Sequence, residues 1–382
     1  MKKLILIYFL LFFSFARARE FRYLQRSPKA LLMGDAYTAI ADDEYTLFYN
    51  PAAMGRHKGL SVYFVNPEVA VTNAIDELDR FENFPSSDPV AIADRVLGLP
   101  LYLKVGGMPT LKMSSVGMSM FAGLTTSMVL RNATHPILDL DYRYDRGVAI
   151  GYAFTMGSGG KKSGGRRQRE YKKRTSGEQL SFGVGLKNVN RQGISQDFDL
   201  FGLELLNRIF LSDSSDYHAI RKALGYSIGA GWGVDGGVEY TYSTGLSQFT
   251  AGFSILDIGD TRFRKTSGTA DLPDQQMSVN SGIAFSQNFG ILDYTLSADI
   301  HPINAKIDDY RKLHFGANVN IPFLGVMFGW NGGYISYGLS LDIWPISIYA
   351  GFYGVEIGGN YLQEEGKRAV FYLGLFDFSF DA

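Results

Sequence analysis

Long stretches of the chain repeat with a period of two. In 138–145 (LDLDYRYD), Leu138, Leu140, Tyr142 and Tyr144 alternate with Asp139, Asp141, Arg143 and Asp145. In 292–300, Leu292, Tyr294, Leu296, Ala298 and Ile300 alternate with Asp293, Thr295, Ser297 and Asp299. In 334–343, Ile335, Tyr337, Leu339, Leu341 and Ile343 alternate with Tyr334, Ser336, Gly338, Ser340 and Asp342. Val238, Tyr240 and Tyr242 alternate with Glu239, Thr241 and Ser243. Successive side chains of a strand point to opposite faces, so this pattern predicts strands with one apolar and one polar face.

The pattern places strands near 59–66, 113–122, 124–131, 137–145, 147–156, 179–189, 226–242, 246–256, 276–287, 291–301, 312–321, 324–330, 334–343, 346–353 and 369–380, about fifteen in all. Connections at 146–147, 243–245 and 332–333 are short, which makes neighbouring strands antiparallel. Three stretches interrupt the pattern. Residues 70–98 read as two short helices around Pro85-Ser86-Ser87, and 197–223 as partly helical. The insertion 157–178 holds eight Lys or Arg and two Glu and reads as a surface loop.

Alternating faces suit either a soluble sandwich with its polar face in water or a transmembrane barrel with its apolar face in lipid. So many antiparallel strands in one sheet must close or expose edges. The 28 Phe and 23 Tyr recur on the apolar faces, as the girdles of a membrane barrel require. The last strand sets Tyr372, Gly374, Phe376, Phe378 and Phe380 on one face. The expected class is all-β: a transmembrane antiparallel barrel. Length alone would suggest two or three soluble domains, yet no Pro/Ser-rich linker divides the chain.

The N-terminus supports an exported protein. Lys2 and Lys3 precede an apolar run over residues 4–15, and Ala16-Arg17-Ala18 has the A-x-A form of a cleavage site. This is the anatomy of a signal peptide, too short to span a bilayer as a helix. The domain expectation is a signal peptide at 1–18, an N-terminal segment at 19–58 and a barrel at 59–382. Removing 1–18 takes away three positive charges and moves the formal net charge from −1 to −4, no signature of a nucleic-acid partner. With no cysteine, thiol catalysis, zinc–thiolate sites and iron–sulfur clusters are excluded.

Residues 33–43 (MGDAYTAIADD), followed by 49–54 (YNPAAM), resemble the N-terminal signature of the FadL-like outer-membrane barrels. That superfamily includes transporters of long-chain fatty acids and hydrocarbons, and a branch with PorV-like secretion proteins and TraF-like barrels. The branch pattern is roughly Gly-Gly-Ala-hydrophobic-Thr-Ala-x-Ala-Asp-Asp, then Asn-Pro-Ala-Gly-Leu. Here Asp35 replaces the second Gly, and Ala53-Met54 replaces Gly-Leu. Downstream, 182–189 (FGVGLKNV), 229–240 (GAGWGVDGGVEY), 253–259 (FSILDIG) and 353–358 (YGVEIG) are more similar to the PorV/TraF-like branch. The resemblance implies a barrel of about fourteen strands with 19–58 folded into the lumen as a hatch containing short helices. It also implies a Gram-negative outer membrane and a hydrophobic or amphipathic small molecule, or a secretion or surface protein, as partner. The candidate hatch or ligand residues are Gly34, Asp42, Asp43, Asn50, Pro51 and Ala52. Pro51 fixes φ and holds Asn50 out of the helical region, and the two aspartates suit caps or ion pairs with luminal cations. Anchoring the plug without touching a ligand fits these residues equally.

Other candidate chemistry is thin. Gly225-Tyr226-Ser227-Ile228-Gly229 matches G-x-S-x-G, but a nucleophile elbow needs a strand, a turn and a helix, and here strand-like alternation continues. His57, His135, His218, His301 and His314 are scattered without a metal-binding spacing. No cofactor, metal or catalytic residue is expected. Asp139, Asp141, Asp145, Glu239, Asp293, Asp299 and Asp342, with Arg143 and Lys187, fall on the polar faces. A lumen so charged suits water or a tightly bonded plug better than a greasy channel. The expected function is passage of small hydrophobic or amphipathic molecules. The alternatives are a barrel that anchors or shuttles a partner and, more remotely, an outer-membrane hydrolase.

Overall fold

The computed structural model describes residues 20–83, 89–157, 176–199, 221 and 224–380. The expected signal peptide, most of the basic loop and most of the 197–223 insert lie outside the described residues. All strands join one antiparallel sheet, which closes into a barrel of 14 spans. We number them in chain order. β1 is Leu60–Tyr63 and Glu68–Thr72, β2 is Leu101–Gly107 and Thr110–Met113, β3 is Val116–Arg131, β4 is Ile137–Gly157 and β5 is Gly177–Asp199. β6 is Ser227–Thr244, β7 is Ser247–Leu256, β8 is Ser278–Asn288, β9 is Asp293–Ile300 and β10 is Leu313–Ile321. β11 is Leu324–Asn331, β12 is Tyr334–Ile343, β13 is Ile346–Glu356, and β14 is Glu365–Leu375 and Phe378–Phe380. β14 pairs back onto β1, with Arg368 opposite Thr72 and Tyr372 opposite Glu68, so no edge is left open. A short ribbon, Arg264–Gly268, adds to β6 where β7 has ended.

The outward faces form an apolar belt. On β6 the exposed residues run Trp232, Val234 and Tyr242, with Val238 and Tyr240 between them. Ten residues at ~3.3 Å each, on a strand tilted ~40°, give about 25 Å, the height of a membrane barrel's apolar band. At the end with the short turns, Phe289, Phe323, Trp344, Phe376 and Phe380 are exposed, an aromatic girdle at the interface. The polar faces point inward, as expected: Asp141, Asp145, Lys187, Glu239 and Asp299 are all buried.

Several expected boundaries are corrected. The pairs 113–122/124–131 and 137–145/147–156 are each one continuous strand, β3 and β4; Arg146 and Gly147 are mid-ladder, opposite Ala122 and Phe121. Two expected hairpins are therefore single strands, and with β5 they reach 16, 21 and 23 residues; β4 and β5 are longer than the other spans. The expected strand at 113–122 was preceded by a missed one, β2, whose alternation is broken at Met108-Pro109. The 70–98 region begins as strand, to Thr72, before a 3-10 helix Ile75–Phe81 and an α-helix Pro89–Val96. In the last strand, Tyr372 is fully buried and Phe380 exposed, so they are not on one face. Phe376 adopts a positive φ of 57° between the two ladder pieces, and the one-residue slip turns the remaining aromatics outward.

Candidate functional site: a plugged lumen and its vestibule

Residues 20–58 fill the lumen. Ser27 caps the short helix Pro28–Leu32, with Pro28 at its first turn. The chain then reverses at Gly34 and Asp35, both left-handed at φ 65° and 64°. A left-handed aspartate is uncommon and is held on three sides: its carboxylate meets Arg26 at 3.1 Å and the Tyr49 hydroxyl at 2.9 Å, and its carbonyl meets His301 Nε2 at 3.0 Å.

The candidate residues are joints of this plug. Gly34 lies against the wall, its carbonyl 3.0 Å from His314 Nδ1. Asp42 is exposed and receives the Tyr37 hydroxyl at 2.8 Å and Lys29 Nζ at 3.1 Å. Asp43 is buried and receives the Tyr45 backbone N–H at 2.9 Å and the Tyr37 hydroxyl at 3.1 Å. The two adjacent aspartates therefore meet at Tyr37 yet sit in different surroundings. Asn50 caps the 3-10 helix Pro51–Arg56: its Oδ1 accepts from the Ala52 N–H at 3.0 Å, and its Nδ2 donates to the Val238 carbonyl at 3.4 Å. Ala52, behind Pro51, is buried against the Gly183 backbone of β5.

That last contact is general. Strand after strand presents an inward glycine where the plug touches the wall. A Cβ on Gly183 would lie 2.1 Å from the Ala52 nitrogen, one on Gly237 2.1 Å from Asn50 Oδ1, one on Gly316 2.6 Å from the Met33 oxygen and one on Gly329 2.0 Å from the Gly34 nitrogen. The abundance of glycine suggested turns. Much of it instead lines strand interiors, where only a missing side chain allows backbone to approach backbone.

Polar wall groups complete the seal. Arg56 makes a two-pronged pair with Glu239, at 2.6 and 3.2 Å. Asp299 accepts the backbone N–H groups of Tyr37 and Thr38 at 2.8 and 2.7 Å. Lys187 bridges Asp235 and Asp257 at 2.9 and 3.0 Å. Arg191 forks onto Asp145 at 2.7 and 2.8 Å, and Arg368 onto Glu20 at 2.8 and 2.6 Å. Burial alone would raise the Glu20 carboxyl, but Arg368 and Arg22 outweigh it and hold it at about 2. Arg26, Arg56 and Tyr49 were not singled out from sequence, and Asp35 was noted only for standing where a glycine was expected; the signal available was a lone arginine beside a buried-looking aromatic segment.

Above the plug, toward the long connections, lies a cavity of about 140 Å³. The hatch forms its floor with Tyr23, Leu24 and Leu31, and Arg143, Arg311 and Ile307 stand around it. Arg26 sits 3.2 Å from the Tyr23 ring centroid, and His301 and His314 stack at 3.8 Å. The lining thus combines apolar surface, aromatic rings, guanidinium groups and the carboxylates of Glu20, Asp35, Asp145 and Glu356. Two other motifs carry no such arrangement. Ser227 lies at the start of β6, its hydroxyl donating to the Ala270 carbonyl at 2.6 Å, with no elbow. Among the described residues no cluster of three or more His, Asp or Glu is placed to hold a metal ion; His218 lies outside them.

No family model and no curated protein matches this sequence. Among solved structures, the chain is similar to a deltaS2 mutant of the TodX monoaromatic hydrocarbon channel, at 10% identity and a TM-score of 0.48, covering 94% of this chain and 99% of that one. It is similar to the Pseudomonas putida toluene transporter TodX at 11% identity and a TM-score of 0.44, covering 95% and 99%. The Ralstonia pickettii toluene transporter TbuX gives 10% identity and a TM-score of 0.41, covering 94% and 100%.

Proposed function

We propose that this protein is a non-enzymatic outer-membrane barrel of a Gram-negative bacterium that passes small hydrophobic or amphipathic molecules beyond a luminal hatch. The observation that carries the reading is the vestibule whose floor is the hatch itself: a ligand resting on Tyr23, Leu24 and Leu31 touches the element that has to move. An apolar floor beneath walls of mutually paired guanidinium and carboxylate groups suits an amphipath with a polar head. The resemblance of residues 33–54 to the FadL-like signature points the same way. An exit is suggested by the wall where the barrel's ends meet. There β1, β2 and β14 are all interrupted, at 64–67, 108–109 and 376–377, and the ladder is thinned to a single bridge between Val65 and Leu375. In outer-membrane barrels short turns face the periplasm, so the vestibule would open outward.

One observation favours the second reading, a barrel that anchors a partner: the hatch is fixed by buried ion pairs, and the lumen is filled. A lock separates the two. The chain has no cysteine, and a Cβ on Gly151 would lie 2.4 Å from a Leu47 methyl, so Leu47→Cys with Gly151→Cys sets a thiol on the hatch beside one on the wall. In vesicles, flux of a small amphipathic probe should stop on oxidation and return on reduction. Flux untouched by the lock, or no flux above protein-free vesicles, would sink the transport reading and leave the anchoring one.

A further inference from the structure

A barrel wall is convex toward lipid, yet this one has an apolar concavity of about 590 Å³ on its outer face across β7 to β11. Register explains it. Ala298 of β9 faces Phe315, and Ala317 of β10 faces Leu296 and Phe328. The two alanines are thus diagonal neighbours on the outward face, a floor without bulk. Phe285, Leu296, Phe328 and Trp330 stand around it as the rim. Directly behind lie Gly316 and Gly329, which press on Met33 and Gly34 of the hatch. The inward side chains there, Ala284 and Ser297, are small, and no bulky outward one fills the dimple.

We propose that this dimple is a retention site for one acyl chain of a membrane lipid. Its depth commits it to that occupant. Phe323 marks the belt's edge at the short-turn end and Ile335 stands toward the other, both exposed, so the concavity opens into hydrocarbon. The strands around it are fully paired with their neighbours, so nothing there recruits a peptide strand. Its volume falls in the range of ligand pockets, roughly 300–1,000 Å³, and its rim is aromatic, giving a chain more contact than the open wall does.

Tryptophan fluorescence tests this, because the chain's three Trp sit at 232, 330 and 344. Trp232→Phe with Trp344→Phe leaves Trp330 on the dimple's rim; Trp330→Phe with Trp344→Phe leaves Trp232 on open wall. Each protein is loaded with phosphatidylcholine carrying brominated acyl chains, which quench Trp on contact, then diluted into unbrominated lipid. Trp232 should recover at once and Trp330 roughly tenfold more slowly, the retention that two additional sheltered methylenes supply. Ala317→Phe, or Ala298→Phe if the first fails to fold, should fill the dimple and abolish the lag. Equal recovery of both Trp, or a lag that survives both filled variants, overturns the proposal. A lag that grows with protein concentration also overturns it, and assigns the dimple to a second copy of the chain.

Discussion

Arg56 in the hatch and Glu239 in β6 meet as a buried, two-pronged ion pair, Nε to Oε1 at 2.6 Å and Nη2 to Oε2 at 3.2 Å. Arg56 also donates to the Ala41 carbonyl at 2.9 Å, so one guanidinium ties the wall to two turns of the plug. Taking away one partner leaves a buried charge unmet, at a cost of about 3–5 kcal/mol, whereas replacing both by apolar groups of similar volume is often neutral. Glu239→Ala should therefore lower the denaturant midpoint and expose the hatch to protease. Arg56→Met with Glu239→Leu should recover most of the loss. A double variant as unstable as the single one would contradict this account.

The glycine contacts make a second prediction. Gly329→Ala places a Cβ 2.0 Å from the Gly34 nitrogen, backbone that cannot yield as a side-chain tip would. The hatch should be displaced, destabilising by about 1–3 kcal/mol and raising single-channel conductance. Gly236→Ala, whose Cβ meets only Ile258 Cδ1 at 3.8 Å, should change stability by no more than about 0.5 kcal/mol. Equal behaviour of the two would mean that the plug does not rest on the wall.

Acid should loosen the plug in two steps. Burial, with His314 and Arg26 beside it, holds the His301 imidazole well below its ordinary value of 6.5. Above pH ~6.5 neither the folded nor the unfolded state is protonated there, and His301 contributes nothing. Below it, the unfolded chain takes up a proton that the folded one refuses, so stability falls by up to about 1.4 kcal/mol per pH unit. Glu20 behaves differently: its carboxyl, held at about 2 against an ordinary 4.5, adds stability above pH 4.5 that is lost between 4.5 and about 2. Unfolding midpoints followed from pH 8 to pH 3 should show both declines. His301→Gln should shrink the upper one, and Glu20→Gln the lower.

Under the non-enzymatic reading, Ser227→Ala removes a hydrogen bond to the Ala270 carbonyl and nothing chemical. Ester and phospholipid hydrolysis by the purified protein should stay at the level of protein-free controls before and after the substitution. Activity that disappears in the variant would restore the hydrolase.

Strand phase was more legible than strand ends. Across Arg146-Gly147 the alternation never changes parity: Tyr144, Arg146, Val148 and Ile150 share the outward face, so the sequence itself argued against a turn there, and the glycine misled. Across Phe376 the parity does change, and only the positive φ reveals it. β2 was hidden because Met108-Pro109 removes a ladder donor in mid-strand. For the site, Asn50, Pro51 and Ala52 were legible as a rigid joint, since caps and prolines act on their own neighbours. Asp42 and Asp43 were legible only as a pair; which one would be buried was not.

The sequence by itself determined what is local: which segments are strands and which faces are apolar. Alternation and backbone restriction act between near neighbours, so they can be read without coordinates. The tertiary structure alone decided what depends on closure. Bringing β14 to β1 fixed the barrel, set Glu239 and Asp299 opposite the hatch's Arg56 and Tyr37, and aligned inward glycines from many strands under one plug. Those partners are separated by up to several hundred residues, and no local preference encodes which distant carboxylate or missing side chain a given turn will meet.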